Sequence, residues 1–240
     1  MHMTKIPGNE DKVAVLMSSG IDSTALIAHI AKTSKKVYPV YIQFGLRWEE
    51  TELYWLKKFL RSLRYGNIES LTVLSVPLKD TYATHWSVTG VKVPDAHAKP
   101  TEIFLPGRNM MLLSKAAVFC AMSGIELLAI ATSRNYPFED GQPHFFRLCE
   151  NVFSKSCAAP ITIYAPYLDK SKDELMQEAK ELGFDFSFSC IFPKGHQHCG
   201  DCYKCAERKA AFARLGLLDK TSYYKKLIKH PVFSEISSNS

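Results

Sequence analysis

Two clusters of residues in this chain have the types and spacing to do chemistry. The first is Ser18-Ser19-Gly20-Ile21-Asp22-Ser23-Thr24. It follows the apolar run Val13-Ala14-Val15-Leu16-Met17 and leads into a helix-like run from Ala25. A Ser/Gly turn between a buried strand and a helix presents backbone N–H groups at the positive end of the helix dipole, which favours an anion. Ser18, Ser19, Ser23 and Thr24 add hydroxyl donors. Neither GxxxxGK[ST] nor GxGxxG is present, so this is not one of the commonest phosphate loops. A carboxylate next to an anion needs a cation between them. Asp22 is therefore expected either to contact Mg²⁺ or to cap the helix. The plainer alternative is an ordinary polar strand-to-helix turn.

The second cluster is Cys190, Cys199, Cys202 and Cys205, spaced C-x8-C-x2-C-x2-C. Thiolates so spaced converge on one soft ion, and Gly200 permits the turn between Cys199 and Cys202. A closed four-sulfur Zn²⁺ site is expected. An iron–sulfur cluster is the rival, although the Cys-Pro ending of bacterial ferredoxins is missing. His196 and His198 are expected to face solvent or substrate. Cys120, Cys149 and Cys157 lie in apolar or helical contexts and read as buried small residues. The seven cysteines make an odd count, and three are tightly clustered, which argues against a disulfide framework.

The 240 residues carry 46% hydrophobic and 22% charged side chains, the balance of a globular protein with a sizeable core. No apolar run reaches membrane-spanning length. Residues 1–12 lack the apolar stretch of a secretory signal, so a cytoplasmic location is expected. The net charge is +6, and residues 202–229 hold eight basic against two acidic side chains. That segment is read as a solvated face or as a contact for a phosphate-bearing partner.

Periodicity places strands at 13–17, 36–44, 71–76, 126–131 and 161–165. Pro39 is an awkward resident of the second. Helices are expected at 21–33, 48–62, 109–123, 142–157, 171–182 and 206–215. Ser171 and Glu174 form a capping box, and Gly124 and Gly183 act as stops. Residues 79–106 show no clear period and make a long, function-bearing loop. Residues 234–240 look disordered. Alternating strands and helices predict an α/β fold with a five-stranded parallel, doubly wound sheet. Ligands bind such sheets at the carboxyl ends of the strands, where the corner after Met17 lies.

"SSGIDST" resembles the SGGxDS pyrophosphate loop of the ATP pyrophosphatase superfamily, with Ser19 where a glycine is usual. "FLPGRNMMLLSKAA", "QFGLRWEETEL" and the four cysteines together resemble the 7-cyano-7-deazaguanine synthase (QueC) family. The resemblance implies an adenine nucleotide alpha hydrolase-like (HUP) domain over 1–183, a zinc-binding subdomain over 184–215 and a basic segment over 216–240. It implies ATP, Mg²⁺ and Zn²⁺ as cofactors, with Cys190, Cys199, Cys202 and Cys205 as zinc ligands. Ser18, Ser19, Gly20, Asp22, Ser23, Thr24, Arg108 and Asn109 would bind the nucleotide, and Asp22, Ser23 and Arg108 would act in catalysis. Helix capping is the plainer role for Asn109, and simple exposure for Arg108. Arg47 and Trp48 either approach the nucleotide or pack.

The implied reaction adenylates the carboxylate of 7-carboxy-7-deazaguanine, releasing pyrophosphate, and uses ammonia to form the amide and then the nitrile. A homo-oligomer is expected. Members of the queuosine pathway read the deazaguanine with a Tyr-Pro-Asp-Cys-Arg-like segment. Here Tyr136-Pro137 is followed by Phe138, and Asp140, His144, Phe145 and Arg147 either do related work or start a helix. The divergence leaves open a QueC-like paralogue of antiviral defence that joins the activated carboxylate to a protein amine. A tRNA sulfurtransferase and a nucleotide-binding regulator are further alternatives.

Overall fold

The molecule is built on one five-stranded parallel sheet in the order β3-β2-β1-β4-β5. The computed structural model describes residues 12–225. The tail at 234–240 and much of the 216–240 segment lie outside them.

The strands are β1 (Lys12–Leu16), β2 (Lys36–Gln43), β3 (Thr72–Ser75), β4 (Leu127–Ala129) and β5 (Thr162–Tyr164). They alternate with α1 (Ile21–Ala31), α2 (Glu49–Ser62), α3 (Lys79–Tyr82), α4 (Trp86–Thr89), α5 (Arg108–Ser123), α6 (Pro143–Ser156), α7 (Lys172–Glu178) and α8 (Tyr203–Arg214). Side chains alternate across a strand, so each strand feeds both faces. Val13 and Val15 pack under α1, with Leu26, Ile27, Leu56 and Leu175. Ala14 and Leu16 pack on the other face, with Leu113, Ala117, Phe146 and Ile163. Helices cover both faces, as the doubly wound pattern requires.

The chain leaves β1 in one direction through β2 and β3, then returns to β1's other side with β4. The switch point therefore lies at the carboxyl ends of β1 and β4, and the Ser18–Thr24 corner opens there.

Pro39 sits in an interior strand, opposite Val15 of β1. Val40 faces β1, because its carbonyl takes the Met17 N–H at 2.8 Å. Pro39 thus faces the β3 side, where an isolated bridge joins Val37 to Ile68 and the regular ladder starts only at Val40–Thr72. Its missing N–H falls in that gap and breaks no ladder bond.

Three expectations are revised. Residues 79–106 are not an open loop. They hold α3, α4 and a 3₁₀ turn at Pro100–Ile103, and they fold over the sheet's carboxyl edge. Trp86 of this segment stacks on Trp48, with ring centroids 5.8 Å apart. The helix after Ser171 is α-helical only to Glu178 and tightens to 3₁₀ over Ala179–Leu182. The last helix starts at Tyr203, three residues early, because Cys202 is its N-cap.

The four clustered cysteines belong to the same buried cluster as Leu16, Val40 and Leu128. Two main-chain contacts tie the 79–106 segment to the cysteine turn: an Asp95–Cys202 bridge and a Tyr203 N–H···O=C Pro94 bond of 3.0 Å. No helix among the described residues is long and apolar enough to cross a membrane.

Candidate active site

The corner after β1 is shaped by its own hydroxyls. Ser18 N–H donates to Ser23 Oγ at 3.2 Å, and Gly20 N–H donates to Ser18 Oγ at 3.1 Å. Ser23 Oγ also lies 2.8 Å from the Ser18 carbonyl. Gly20, with φ −67° and ψ 152°, is the N-cap of α1. The first helical bond runs from Thr24 N–H to the Gly20 carbonyl at 3.1 Å. The N–H groups of Ile21, Asp22 and Ser23 precede that bond and point out of the helix end, where an anion would be held.

Two of the expected nucleotide-binding side chains face inward. Thr24 is buried, and its hydroxyl donates to the Ile21 carbonyl at 2.8 Å. Ser19 is fully buried. Its carbonyl takes the Phe188 N–H at 2.7 Å, and its Oγ donates back to the Phe188 carbonyl at 3.3 Å. Its N–H bonds to the Glu52 carboxylate. Ser19 is not among the residues with positive φ, so a side chain sits there without strain. Ser19 therefore anchors the loop from behind, which is why glycine is dispensable at this position.

Asp22 does not cap α1. Its Oδ1 meets Lys172 Nζ at 2.5 Å, with both side chains about a quarter exposed (26% each). Lys172 is the first residue of α7, next to the Ser171 cap whose Oγ takes the Glu174 N–H. A second pair, Lys204 Nζ to Glu207 Oε2 at 2.6 Å, comes from the first turn of α8. Burial pushes the Glu207 carboxyl up, but Lys204, Lys172 and Arg214 more than offset it and hold it below its ordinary value. Burial likewise pushes the Lys204 ammonium down, and Glu207 and Asp22 more than offset that.

Arg108 opens α5 after Gly107, which caps the helix at φ +74°. Its Nε is buried and has no partner among the described residues. The guanidinium faces a buried carboxylate pair at the start of α2. Glu52 Oε2 accepts from Tyr41 OH at 2.7 Å, and Glu49 accepts the N–H groups of Phe44 and Gly45, each at 2.8 Å. Burial raises both carboxyls; backbone N–H groups and then Arg108 partly offset the rise at Glu49, and Arg108 leads the offset at Glu52. Asn109 is buried and is not the N-cap. Its Nδ2 donates to Tyr136 OH and to the Asp140 carbonyl, both at 3.1 Å. Tyr136 OH in turn donates to Asp140 Oδ1 at 2.9 Å.

Arg108 divides two connected hollows. One, of ≈ 180 Å³, runs over the ends of β1, β2 and β4, lined by Leu16, Ser18, Asp22, Tyr41, Asn109 and Thr132. The other, of ≈ 300 Å³, is partly aromatic, with Trp48, Trp86, Tyr136, Phe138 and Phe188. It also carries Asp22, Lys172, Lys204 and Glu207. A flat ring suits the aromatic residues and a polyanion the cationic ones.

Other expected residues have different duties. Arg47 braces the 79–106 segment through Nη1 to the Thr89 carbonyl at 3.2 Å, and only its neighbour Trp48 lines the cleft. Phe146 is core and Phe145 packs against that core. His144 Nε2 sits 3.3 Å from Glu139, and Arg147 is exposed.

The sulfurs of Cys190, Cys199, Cys202 and Cys205 all lie within 4.8 Å of one another, and all four residues are buried. Two Sγ···Sγ edges, Cys190–Cys202 and Cys199–Cys205, are 3.8 Å. A tetrahedron with metal–sulfur bonds of ~2.3 Å has edges of ~3.8 Å, so the donor set fits one tetrahedral ion. A multi-iron cube needs its cysteines farther apart. Backbone N–H groups of Phe192 and Cys199 point at Cys190 Sγ, and those of Asp201 and Cys202 point at Cys199 Sγ, at 3.2–3.4 Å. Such bonds stabilise thiolates. Gly200 has φ +87°, and a Cβ there would lie 2.2 Å from the Lys225 carbonyl.

The histidine expectation holds for only one residue. His196 is exposed and stacks on Tyr54 at 3.7 Å. His198 is buried, accepts the Ser189 N–H on Nε2 at 3.2 Å, and is pushed down to about 3 by burial. Cys120 and Cys149 are buried as expected, and Cys157 is half-buried.

Sequence reasoning missed Lys172, Lys204, Glu207 and Glu52. Lys172 carried the one usable signal, a cation just past the carboxyl end of the fifth strand. The other three lie on helices whose facing only the fold decides.

A relative from Caldicellulosiruptor bescii named 7-cyano-7-deazaguanine synthase is 27% identical over 88% of this chain and 97% of its own length. One of the same name from Persephonella marina is 29% identical over 86% and 94%. The fold is also similar to the U34-tRNA thiolase NcsA from Methanococcus maripaludis, at 15% identity over 86% of this chain and 67% of that one. The TM-score of that match is 0.46. The family model described as "Queuosine biosynthesis protein QueC" matches residues 12–216. The chain belongs to the QueC family.

Proposed function

We propose that this protein is an ATP-dependent carbon–nitrogen ligase that converts 7-carboxy-7-deazaguanine to its amide and then to the nitrile 7-cyano-7-deazaguanine. One observation carries the reading. The α1 N-terminus, Asp22, Lys172 and Arg108 line one cleft together with the aromatic rings of Trp48, Trp86 and Phe138.

In this reading the N–H groups of residues 21–23 hold the departing pyrophosphate, with Ser18 and Ser23 fixing the loop's shape. Lys172 and Arg108 flank the α-phosphate. The substrate carboxylate oxygen bonds to the α-phosphorus as the bond to pyrophosphate breaks. Ammonia then attacks the carbonyl carbon, AMP leaves with the bonding pair, and one proton passes to solvent. In the second round the amide oxygen takes the α-phosphate. Loss of both N–H protons and of AMP leaves the triple bond. Trp48, Trp86 and Phe138 enclose the planar ring. Mg²⁺, held through Asp22, would neutralise charge on the phosphates. Asp22 would release Lys172 to do so.

The four-cysteine site is assigned to Zn²⁺ in a structural role, because its coordination is closed. Residues 184–215 then serve as one wall of the cleft.

The test is pyrophosphate release with ATP, 7-carboxy-7-deazaguanine and ammonium chloride, and mass spectrometry of the products. The reading requires release that depends on the deazaguanine and a product lighter than the amide by one water. ATP turnover indifferent to the deazaguanine would refute it.

A further inference from the structure

Four charged groups line the cleft as two ion pairs. Lys172 pairs with Asp22 and Lys204 with Glu207. Across the pairs, Asp22 acts on Lys204 and Lys172 acts on Glu207. All four line the cleft and are only 26–42% exposed. Three helices supply them: α1, α7 and α8. As it stands the quartet is neutral.

A bound triphosphate ends that balance. It draws both ammonium groups, because charge-assisted bonds to phosphate are stronger than half-exposed ion pairs. Asp22 then turns to a phosphate-bridging cation. Glu207 then keeps only the influence of Arg214, which is itself paired with Asp173, at the edge of a polyanion. That is costly unless a second positive group arrives. The ligase reading, on which this step rests, supplies one. Ammonia and primary alkyl amines travel as cations near neutral pH, and the amine must enter the cleft after adenylation.

We infer that Glu207 is the docking residue for the incoming amine, and that Lys204 guards it until the nucleotide binds. Glu207 attracts the cationic nitrogen, sets it beside the acyl-adenylate and takes the proton that the nitrogen must lose before its lone pair attacks the carbonyl carbon. The guard keeps the amine from occupying the cleft before the carboxylate is activated. The cysteine site serves this device directly: Cys202 is the N-cap of α8 and Cys205 lies in its first turn, so Lys204 stands between two of the clustered cysteines and Glu207 follows two residues after the second.

The experiment separates the two half-reactions. Exchange of labelled pyrophosphate into ATP, with 7-carboxy-7-deazaguanine and no amine, reports adenylation. Amide formation against rising ammonium chloride, and separately glycinamide, reports the amine. For Glu207→Gln, exchange persists while the apparent KM for ammonium rises about tenfold, the factor that corresponds to ~1.4 kcal/mol. Glu207→Asp recovers part of the loss. Lys204→Met weakens exchange through the KM for ATP and leaves the ammonium KM low. Melting curves establish that each variant is folded. Identical ammonium dependence in Glu207→Gln and the unaltered enzyme overturns the assignment. So does a raised Mg²⁺ requirement with unaltered ammonium dependence, which would make Glu207 a metal contact. No exchange in the unaltered enzyme overturns the ligase reading itself.

Discussion

Ser19 and Phe188 are 169 positions apart in sequence and share two hydrogen bonds, N–H···O=C at 2.7 Å and Oγ–H···O=C at 3.3 Å. Cys190 follows Phe188 by two residues, so the Ser18–Thr24 corner is fastened from behind to the stretch of chain that enters the four-cysteine cluster. A change in that cluster should be felt at the corner.

Cys202→Ser should therefore do more than lose the ion. Metal content measured by inductively coupled plasma mass spectrometry should fall from one ion per chain to near none. The melting temperature should drop, because binding of the ion is part of the folding free energy. ATP affinity, measured by calorimetry on protein still folded at low temperature, should weaken. Unaltered metal content and melting would end the four-thiolate assignment.

Ser19→Gly should be mild. The main-chain bond from Phe188 survives, and the lost hydroxyl bond costs about 1 kcal/mol, with roughly 0.5–1 kcal/mol more from the freer backbone. Pyrophosphate release should continue. Abolished release with an intact fold would mean that the Ser19 side chain touches the nucleotide.

Asp22→Asn should separate stability from activity. The Asp22–Lys172 pair is partly exposed, and such pairs stabilise by about 0–1 kcal/mol, so the melting temperature should barely move. Pyrophosphate release should fall about 100-fold or more, the loss of ~2.7 kcal/mol of transition-state stabilisation. Near-normal release would remove Asp22 from the chemistry.

Arg108→Met should be unstable in a pH-dependent way. It strips the cation facing Glu49 and Glu52 and leaves two buried carboxylates held by hydrogen bonds alone, a cost of up to about 3–5 kcal/mol near neutral pH. Burial holds both carboxyls above their unfolded values, so the folded state binds protons more readily than the unfolded one. Stability is then greatest at low pH and is lost as pH rises through the folded pKa values. Without Arg108 those values rise further. The deficit against the unaltered protein should shrink as pH is lowered below neutrality, as read by urea unfolding across pH. A deficit independent of pH would exclude this charge relationship.

The fold was legible because it rests on repeated, local patterns. Five short apolar runs, each followed by an amphipathic one, leave few arrangements other than a covered parallel sheet. The Ser18–Thr24 corner and the cysteines were legible because glycine, hydroxyl and thiol spacings are themselves local. Residues 79–106 were not. Their α-helices are four residues each, too short to show a period, and tertiary contacts such as Trp86 on Trp48 hold them. The inward turn of Ser19 and Thr24 was hidden because spacing does not reveal which hydroxyls serve the backbone. Glu52, Lys172 and the Lys204–Glu207 pair lie far apart in sequence and line one cleft only once α2, α7 and α8 are in place.

The central claim is that the corner at residues 18–23 grips the diphosphate released from ATP. A crystal structure of the protein with AMP, pyrophosphate and magnesium chloride tests it most directly. Pyrophosphate should lie against the N–H groups of residues 21–23, with Lys172 turned from Asp22 toward its oxygens. Pyrophosphate bound elsewhere, with the Asp22–Lys172 pair still closed, would contradict the account.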